Sequence, residues 1–102
     1  MLLMRSNEII AYQGVIDKQP VMIKKSGIEE WKFPFMLFGN KEYISVFEFS
    51  DWVCERCFPP ERVDAKKLLN EIGLDHYDRW EIVKKTSARM YGRDQFWVDF
   101  TK

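Results

Sequence analysis

Histidine, cysteine and clustered glycine are scarce in this chain, and their scarcity excludes several chemistries. The one histidine, His76, has no nucleophile paired with it in a recognisable motif, so a Ser–His or Cys–His catalytic site is not indicated. The five glycines are spread singly along the chain, which leaves no glycine-rich loop to cradle a phosphate. We therefore expect a protein that is not an enzyme, with no catalytic residues and no cofactor.

An excess of charge of one sign and a long apolar run are also absent. Sixteen basic residues balance sixteen acidic ones, so neither a nucleic-acid-binding footprint nor a polyanionic surface shows in the totals. No stretch approaches the ~18 apolar residues that a membrane span requires. Residues 1–4 are apolar, but Arg5 follows at once, and no secretory leader is predicted. We expect a cytoplasmic protein without membrane association.

The two cysteines, Cys54 and Cys57, form a single C-x-x-C pair with three interpretations. A structural zinc site needs four ligands, and too few are available, so no metal site is predicted. A thioredoxin-like pair needs a helix N-terminus to lower the thiol pKa, whereas this pair lies near the predicted C-terminal end of a helix. We favour the third interpretation, two reduced thiols of which at least one packs as a small hydrophobic side chain.

Apolar and aromatic residues are abundant, which predicts a folded protein. Hydrophobic residues make up 46% and aromatics 16% of the 102 residues, far above what an intrinsically disordered segment carries. A chain of this length is large enough for one hydrophobic core and too short for a second lobe. We therefore predict a single domain over residues 1–102.

The first forty residues have the pattern of strands separated by turns. Residues 2–4, 8–13 and 21–25 are predicted strands of a small antiparallel sheet. Residues 31–38 form the most apolar window, and Pro34 bars this window from a helix interior or a central strand. Three interpretations of this window remain: an edge strand, a lid over the core, or a contact surface.

Helical patterns begin after Tyr43. We predict a helix over residues 45–57 with Ile44, Phe47, Val53 and Cys57 along one stripe, although residues 43–49 also have strand character. The prolines at 59 and 60 end it.

Two further helices and a final strand follow. Asp64 is predicted to cap a helix that Gly73 ends. Asp78 and Glu81 form a capping box that opens another helix, which ends near residue 86 or 89. Residues 96–100 alternate as a terminal strand that joins the N-terminal sheet. The predicted fold class is α+β: a small antiparallel sheet of N-terminal strands plus the C-terminal strand, packed against two or three helices.

The aromatic residues are the candidates for partner binding. They exceed what a core of this size must bury, and Trp, Tyr and Arg anchor protein interfaces. Core packing is the alternative and stays open for residues 31–38, while Trp80 and Trp97 are predicted core residues. The candidate partner-binding residues are Trp31, Phe33, Phe35, Phe38, Tyr91 and Arg93.

Basic residues in the helical part give a weaker alternative. Lysine pairs at 66–67 and 84–85 lie near Arg79 and Arg89 in the sequence, and such cations beside aromatic rings contact phosphates in nucleic-acid-binding proteins. Acidic residues are interleaved with them, so nucleic-acid binding is predicted with less weight than protein binding. Homodimerisation through an edge strand also stays open.

A spaced pattern runs from residue 52 to residue 100. Its positions are Trp52, Arg56, Pro59, Arg62, Leu68, Leu69, Gly73, Asp94, Phe96 and Trp97. In this half the chain resembles small bacterial HipA-like proteins, short relatives of the N-terminal module of HipA-type toxin kinases that are often carried near mobile elements. The resemblance implies an accessory or regulatory protein without the kinase lobes and gives no active site. Arg56, Arg62, Arg89 and Asp94 are expected to be structural ion-pair partners.

These observations lead to a functional hypothesis with two alternatives. We expect a small regulatory protein, encoded by a phage or mobile element, that binds a protein partner stoichiometrically and inhibits, for example, a host defence or toxin protein. The first alternative is a toxin–antitoxin accessory module that docks on a HipA-type kinase. The second is a DNA-associated transcriptional regulator.

Overall fold

The computed structural model describes residues 1–89 and 94–101. In this part of the chain, a five-stranded antiparallel sheet packs against helices in an α+β fold, as predicted. The strands are β1 (Leu2–Arg5), β2 (Glu8–Ile16), β3 (Gln19–Lys24), β4 (Tyr43–Ser45) and β5 (Phe96–Asp99). The helices are a 3-10 helix (Glu30–Lys32), α1 (Phe35–Phe38), α2 (Val46–Cys54), α3 (Ala65–Glu71) and α4 (Arg79–Thr86).

The sheet has the strand order β4-β3-β2-β1-β5, so the last strand pairs with the first. This confirms the predicted union of the C-terminal strand with the N-terminal sheet. Strand β2 extends past the predicted end at residue 13 because a two-residue turn at Asp17 and Lys18 connects it to β3. Both turn residues have positive φ, at 52° and 66°, as a type I′ hairpin requires. An Asp-Lys pair is an unusual choice there, so the sequence did not signal the turn.

A register shift between β1 and β2 adds to the core. Leu3 pairs with Ala11 but Met4 pairs with Ile9, which leaves Ile10 as the extra residue of a β-bulge. Ile10 and Ala11 are both fully buried. The bulge therefore lets two successive side chains of β2 enter the core.

Helix α2 is shorter than the predicted 45–57 segment. Ser45 caps it by accepting a hydrogen bond from the Glu48 amide at 3.0 Å. Phe49 and Val53, four residues apart, are fully buried, whereas Phe47 is 72% exposed. The predicted stripe was wrong about Phe47, because position 44 belongs to β4 and the buried face follows from a helix that starts at Val46.

The two later helices have different starts. The Asp78 carboxylate accepts a hydrogen bond from the Glu81 amide at 3.0 Å, which confirms the predicted N-cap of α4. Asp64 occupies the N-cap position of α3 but makes no capping hydrogen bond, because its carboxylate accepts from Arg62 Nε at 2.6 Å instead. Gly73 follows α3 with φ at +81°, which confirms a left-handed stop.

Helix α2 packs on one face of the sheet, and α1 and α4 pack against α2. Leu3, Met22 and Val98 point into the core, together with Phe49 and Val53 of α2, and α2 packs on β3 and β4. The half-buried Trp80 packs against this core from α4.

Trp97 lies on the opposite face of the sheet, so its assignment to the core was wrong. It pairs with Met4, one step out of phase with the buried Leu3–Val98 pair. Its indole Nε1 donates to the Ser6 carbonyl at 2.7 Å, and the Arg89 guanidinium lies 4.5 Å from its ring centre.

Candidate functional site

Residues 30–38 form two short helical turns joined by Pro34. The 3-10 helix ends before the extended residue Phe33, and Pro34 is the N-cap residue of α1. A proline fits there because it has no N–H to donate and its fixed φ suits a helix start. The window is therefore neither an edge strand nor one continuous helix. The 3-10 helix has no buried residue, whereas Phe33 after it and Phe38 in α1 are buried.

Two of the predicted partner-binding residues of this window point inward. Phe33 is 7% exposed and Phe38 is 1% exposed, and both belong to the core cluster. Their rings meet edge to face with centroids 5.8 Å apart. Their assignment to the partner-binding surface is corrected here, since these side chains attach the segment to the body of the protein.

Lys24 adds a second attachment beneath the segment. Its side chain is 3% exposed, and its Nζ lies 2.7 Å from Glu30 Oε1. The same ammonium lies 4.8 Å from the ring centre of Phe33 and 5.4 Å from that of Phe38. A buried cation needs such compensation by a carboxylate and aromatic faces. The contact links β3 to the 3-10 helix.

The outward side chains of the same segment are large and apolar. Trp31 is 65% exposed, Phe35 is 71% exposed and Met36 is 92% exposed. We refer to these three side chains as the Trp31 surface. The sequence predicted Trp31 and Phe35 as partner-binding candidates and missed Met36, although Met36 stands inside the same apolar window.

Trp31 is exposed but held in one orientation. Its indole Nε1 donates to Glu29 Oε2 at 2.5 Å. The Arg5 guanidinium lies 4.9 Å from the ring centre and the Lys32 ammonium 5.6 Å from it, both within cation–π range. Lys32 is itself paired with Glu8 at 3.2 Å. The ring therefore stands in a network of charges that restricts its motion.

A shallow depression of about 370 Å³ lies beside Trp31. Its walls are mainly aromatic, and its polar groups are the Glu30 carboxylate and the Asn40 amide. Glu30 is already paired with Lys24. The residues that line the depression are Glu30, Trp31, Phe33, Phe35, Gly39 and Asn40.

The neighbouring helix contributes another exposed aromatic residue. Helix α1 packs against α2, and the first turn of α2 carries the exposed Phe47. The exposure of Phe47 was not predicted, because the helix begins at Val46 and Ile44 belongs to β4. The remaining predicted partner-binding residues, Tyr91 and Arg93, lie outside the described residues.

Arg56 is the centre of a second cluster, which is buried rather than exposed. Its guanidinium donates to both Asp94 carboxylate oxygens at 2.9 and 2.6 Å, and to the carbonyls of Ala88 and Phe96 at 2.6 and 2.9 Å. It also lies 4.7 Å from the Trp52 ring centre. These hydrogen bonds hold the pKa of Asp94 below its ordinary value.

The Arg56 cluster explains part of the spaced pattern in structural terms. The predicted ion pair between Arg56 and Asp94 is confirmed, and it ties the end of α2 to the start of β5. Arg62 pairs with Asp64 within the loop before α3, and both side chains are about half exposed, at 53% and 44%. Arg89 lies over Trp97. Of these three arginines, Arg56 makes the buried connection.

The two cysteines are free thiols at the C-terminal end of α2, which confirms their predicted position. Both are partly buried, and Cys57 packs against the core. Burial raises the pKa of the Cys54 thiol, and Arg79 partly offsets this. Within residues 1–89 and 94–101, no group of three or more His, Cys, Asp and Glu side chains is placed to hold a metal ion.

His76 lies on the surface in the loop before α4. Its Nδ1 is 2.7 Å from Asp75 Oδ1, and the two side chains are 67% and 97% exposed. The hydrogen bond with Asp75 raises the pKa of His76 and lowers that of the carboxyl. The pair is an exposed local contact between neighbours in the sequence.

The described helices are all too short to cross a membrane. Neither a protein-family model, nor a curated protein, nor a solved structure matches this chain. The resemblance of residues 52–100 to HipA-like proteins therefore stays a prediction.

Proposed function

We propose that this chain is a non-enzymatic regulatory protein that acts by stoichiometric binding to another protein through the Trp31 surface. The observation that carries the proposal is the exposure of Trp31, Phe35 and Met36, at 65, 71 and 92%, on one anchored segment. The same segment buries Phe33 and Phe38 in the core. The exposed apolar side chains therefore extend from a backbone segment that is anchored to the core.

Burial of these side chains supplies a driving force for association. Removing apolar surface from water is worth about 25 cal/mol per Å², and Trp, Phe and Met are enriched at the centres of protein interfaces. The depression beside Trp31 offers a recess for an apolar side chain of the partner. Its Glu30 carboxylate is already matched by Lys24, so the recess favours a neutral occupant over a charged one.

Preorganisation supports the same conclusion. Binding costs the entropy of every side chain that it immobilises, and a side chain that is already held costs less. Trp31 is restrained by Glu29 and by the cations of Arg5 and Lys32. Tryptophan is also one of the residue types that are enriched among interface hot spots. We therefore assign Trp31 as the main anchor.

A regulatory rather than catalytic role is supported by the way the polar groups are used. The lowered pKa of Asp94 follows from its hydrogen bonds to Arg56, which join α2 to β5. The shifted pKa of His76 belongs to an exposed pair with Asp75. The resemblance of residues 52–100 to accessory HipA-like proteins points the same way.

Affinity capture with a matched set of variants tests the proposal. Tagged wild-type protein is incubated with bacterial lysate, with and without nuclease treatment, and captured proteins are identified by mass spectrometry and quantified against the bait. We expect a partner near equimolar ratio that survives high salt and is lost with the double variant Trp31→Ala, Phe35→Ala. Val63→Ala is the control, because Val63 is fully exposed at 104% and lies in the loop before α3. Recovery only through nucleic acid would overturn the proposal.

A further inference from the structure

Cys54 and Cys57 are close enough for a covalent connection. Cys54 is the last residue of α2, and the Cys57 amide donates to the Cys54 carbonyl at 3.3 Å. Such a turn brings its end residues within roughly 7 Å between Cα atoms. A disulfide spans Cα separations of roughly 4.4–6.8 Å. The backbone geometry is therefore compatible with a bond between the two sulfur atoms.

Arg56, one of the two residues between the cysteines, holds this turn in place. Arg56 is held by four hydrogen bonds, to Asp94, Ala88 and Phe96, and its side chain is only 5% exposed. The turn that carries the two thiols is thus anchored at its centre.

Polar groups surround the sulfur atoms. Cys57 Sγ lies 3.3 Å from the Phe58 carbonyl and 3.5 Å from Tyr77 Oη. Tyr77 in turn donates to the Phe58 carbonyl at 2.5 Å. Burial raises the pKa of the Cys54 thiol, and the nearby Arg79 guanidinium partly offsets this rise. Both cysteines are partly exposed, so a small reagent can reach them.

We propose that Cys54 and Cys57 form a modification site at which a low-molecular-weight disulfide, such as glutathione disulfide, produces a reversible intramolecular disulfide. One cysteine thiolate attacks a sulfur of the reagent and releases one small thiolate. The second cysteine thiolate then attacks the mixed disulfide and releases the other small thiolate. The protein loses two hydrogens, and the reagent is reduced to two thiols that carry the two protons.

This modification is a slow response to oxidant rather than a catalytic cycle. Burial raises the pKa of the Cys54 thiol, which lowers the thiolate fraction near neutral pH. Formation of the bond redirects Cys57 Sγ from Tyr77 toward Cys54. Oxidation therefore exchanges a contact between the α2 terminus and the loop before α4 for a covalent link within one turn.

Native protein incubated with glutathione disulfide provides the test. After acid quenching and alkylation of free thiols, we expect a monomer whose intact mass is reduced by two hydrogen atoms and which carries no alkyl group. Trypsin cleaves after Arg56 and separates the two cysteines, so the disulfide then appears as a pair of linked peptides. Dithiothreitol restores two alkylatable thiols.

The Cys54→Ser variant is the control, and it should give only a glutathione adduct at Cys57. For the wild-type protein, a glutathione adduct, a disulfide-linked dimer or unreacted thiols as the main product would overturn the proposal. The wild-type result stands without the variant and does not depend on the proposed partner binding.

Discussion

At the residue scale, two buried cations determine how the chain holds together. Lys24 is neutralised by Glu30 and two aromatic faces, and Arg56 by Asp94 and backbone carbonyls. The sequence predicted the Arg56–Asp94 pair but gave no sign that Lys24 is buried. A lysine in an apolar strand is usually a solvent-facing residue, and only the packing of Phe33 and Phe38 over it changes that.

Replacement of Arg56 by alanine should destabilise the protein strongly. The variant leaves the carbonyls of Ala88 and Phe96 without a donor and removes the countercharge of Asp94. Removing one partner of a buried pair costs about 3–5 kcal/mol. Urea unfolding followed by circular dichroism measures this loss.

Arg62→Ala is the matched control for Arg56→Ala. Its pair with Asp64 is about half exposed, and exposed pairs contribute about 0–1 kcal/mol. Equal losses in the two variants would show that Arg56 is not the structural connection that we describe.

The pH dependence of stability should report the charge of Asp94. Its pKa in the folded protein lies below its ordinary value because of its hydrogen bonds to Arg56. The contribution of the Asp94 carboxylate to the free energy of unfolding is therefore fully present above the unfolded-state pKa of about 3.9. It is lost as the pH falls through the lower folded-state pKa.

The Asp94→Asn variant tests this pH dependence. Its urea midpoint should be lower than that of the wild type at neutral pH, and the difference should shrink as the solution is acidified below pH ~4. Asp64→Asn serves as the exposed control. A difference in urea midpoint between the wild type and Asp94→Asn that stays constant across this pH range would contradict the lowered pKa of Asp94.

At the element scale, residues 30–38 show what local sequence rules can and cannot predict. Pro34 predicted that no central strand or helix interior could occur, and the structure places it at a helix start. The choice of inward and outward side chains was not predictable, because the extended residues Phe33 and Pro34 separate a 3-10 helix from a one-turn α-helix. No single period of 2 or 3.6 residues describes such a segment.

Two substitutions in α1 should distinguish a buried side chain that stabilises the fold from an exposed side chain that does not. Phe38→Ala removes a fully buried ring and should cost about 3–5 kcal/mol. Met36 lies in the same one-turn helix and is 92% exposed. The Met36→Ala variant should therefore change the free energy of unfolding by less than about 0.5 kcal/mol. Thermal unfolding of both variants measures the difference. Similar melting temperatures would show that the inward and outward assignments are wrong.

At the scale of the whole molecule, the fold joins the two ends of the chain. Strand β1 lies between β2 and β5, so the sheet is complete only when the C-terminal strand returns. The α+β class and this return were predictable from alternating residues in 96–100 and from turn signals near the N-terminus. Trp97 was assigned to the wrong environment, because alternation gives two faces but does not say which one the helices cover.

The edges of the sheet leave little room for pairing with a second copy. Strand β4 spans only Tyr43–Ser45, and on the other edge the Val98 amide of β5 donates to the Ser87 carbonyl at 2.8 Å. Short or covered edges are a common protection against strand addition. The Trp31 surface is thus the better supported route to a partner, and homodimerisation stays an untested prediction.

The most direct test of the central claim compares partner capture by three proteins, each confirmed to be folded. They are the wild type, the double variant that carries both Trp31→Ala and Phe35→Ala, and the control variant Val63→Ala. We predict a near-equimolar protein partner with the wild type and the Val63 variant, and its loss with the Trp31, Phe35 double variant. A partner retained by the folded double variant, or recovery that depends on nucleic acid, would contradict the account.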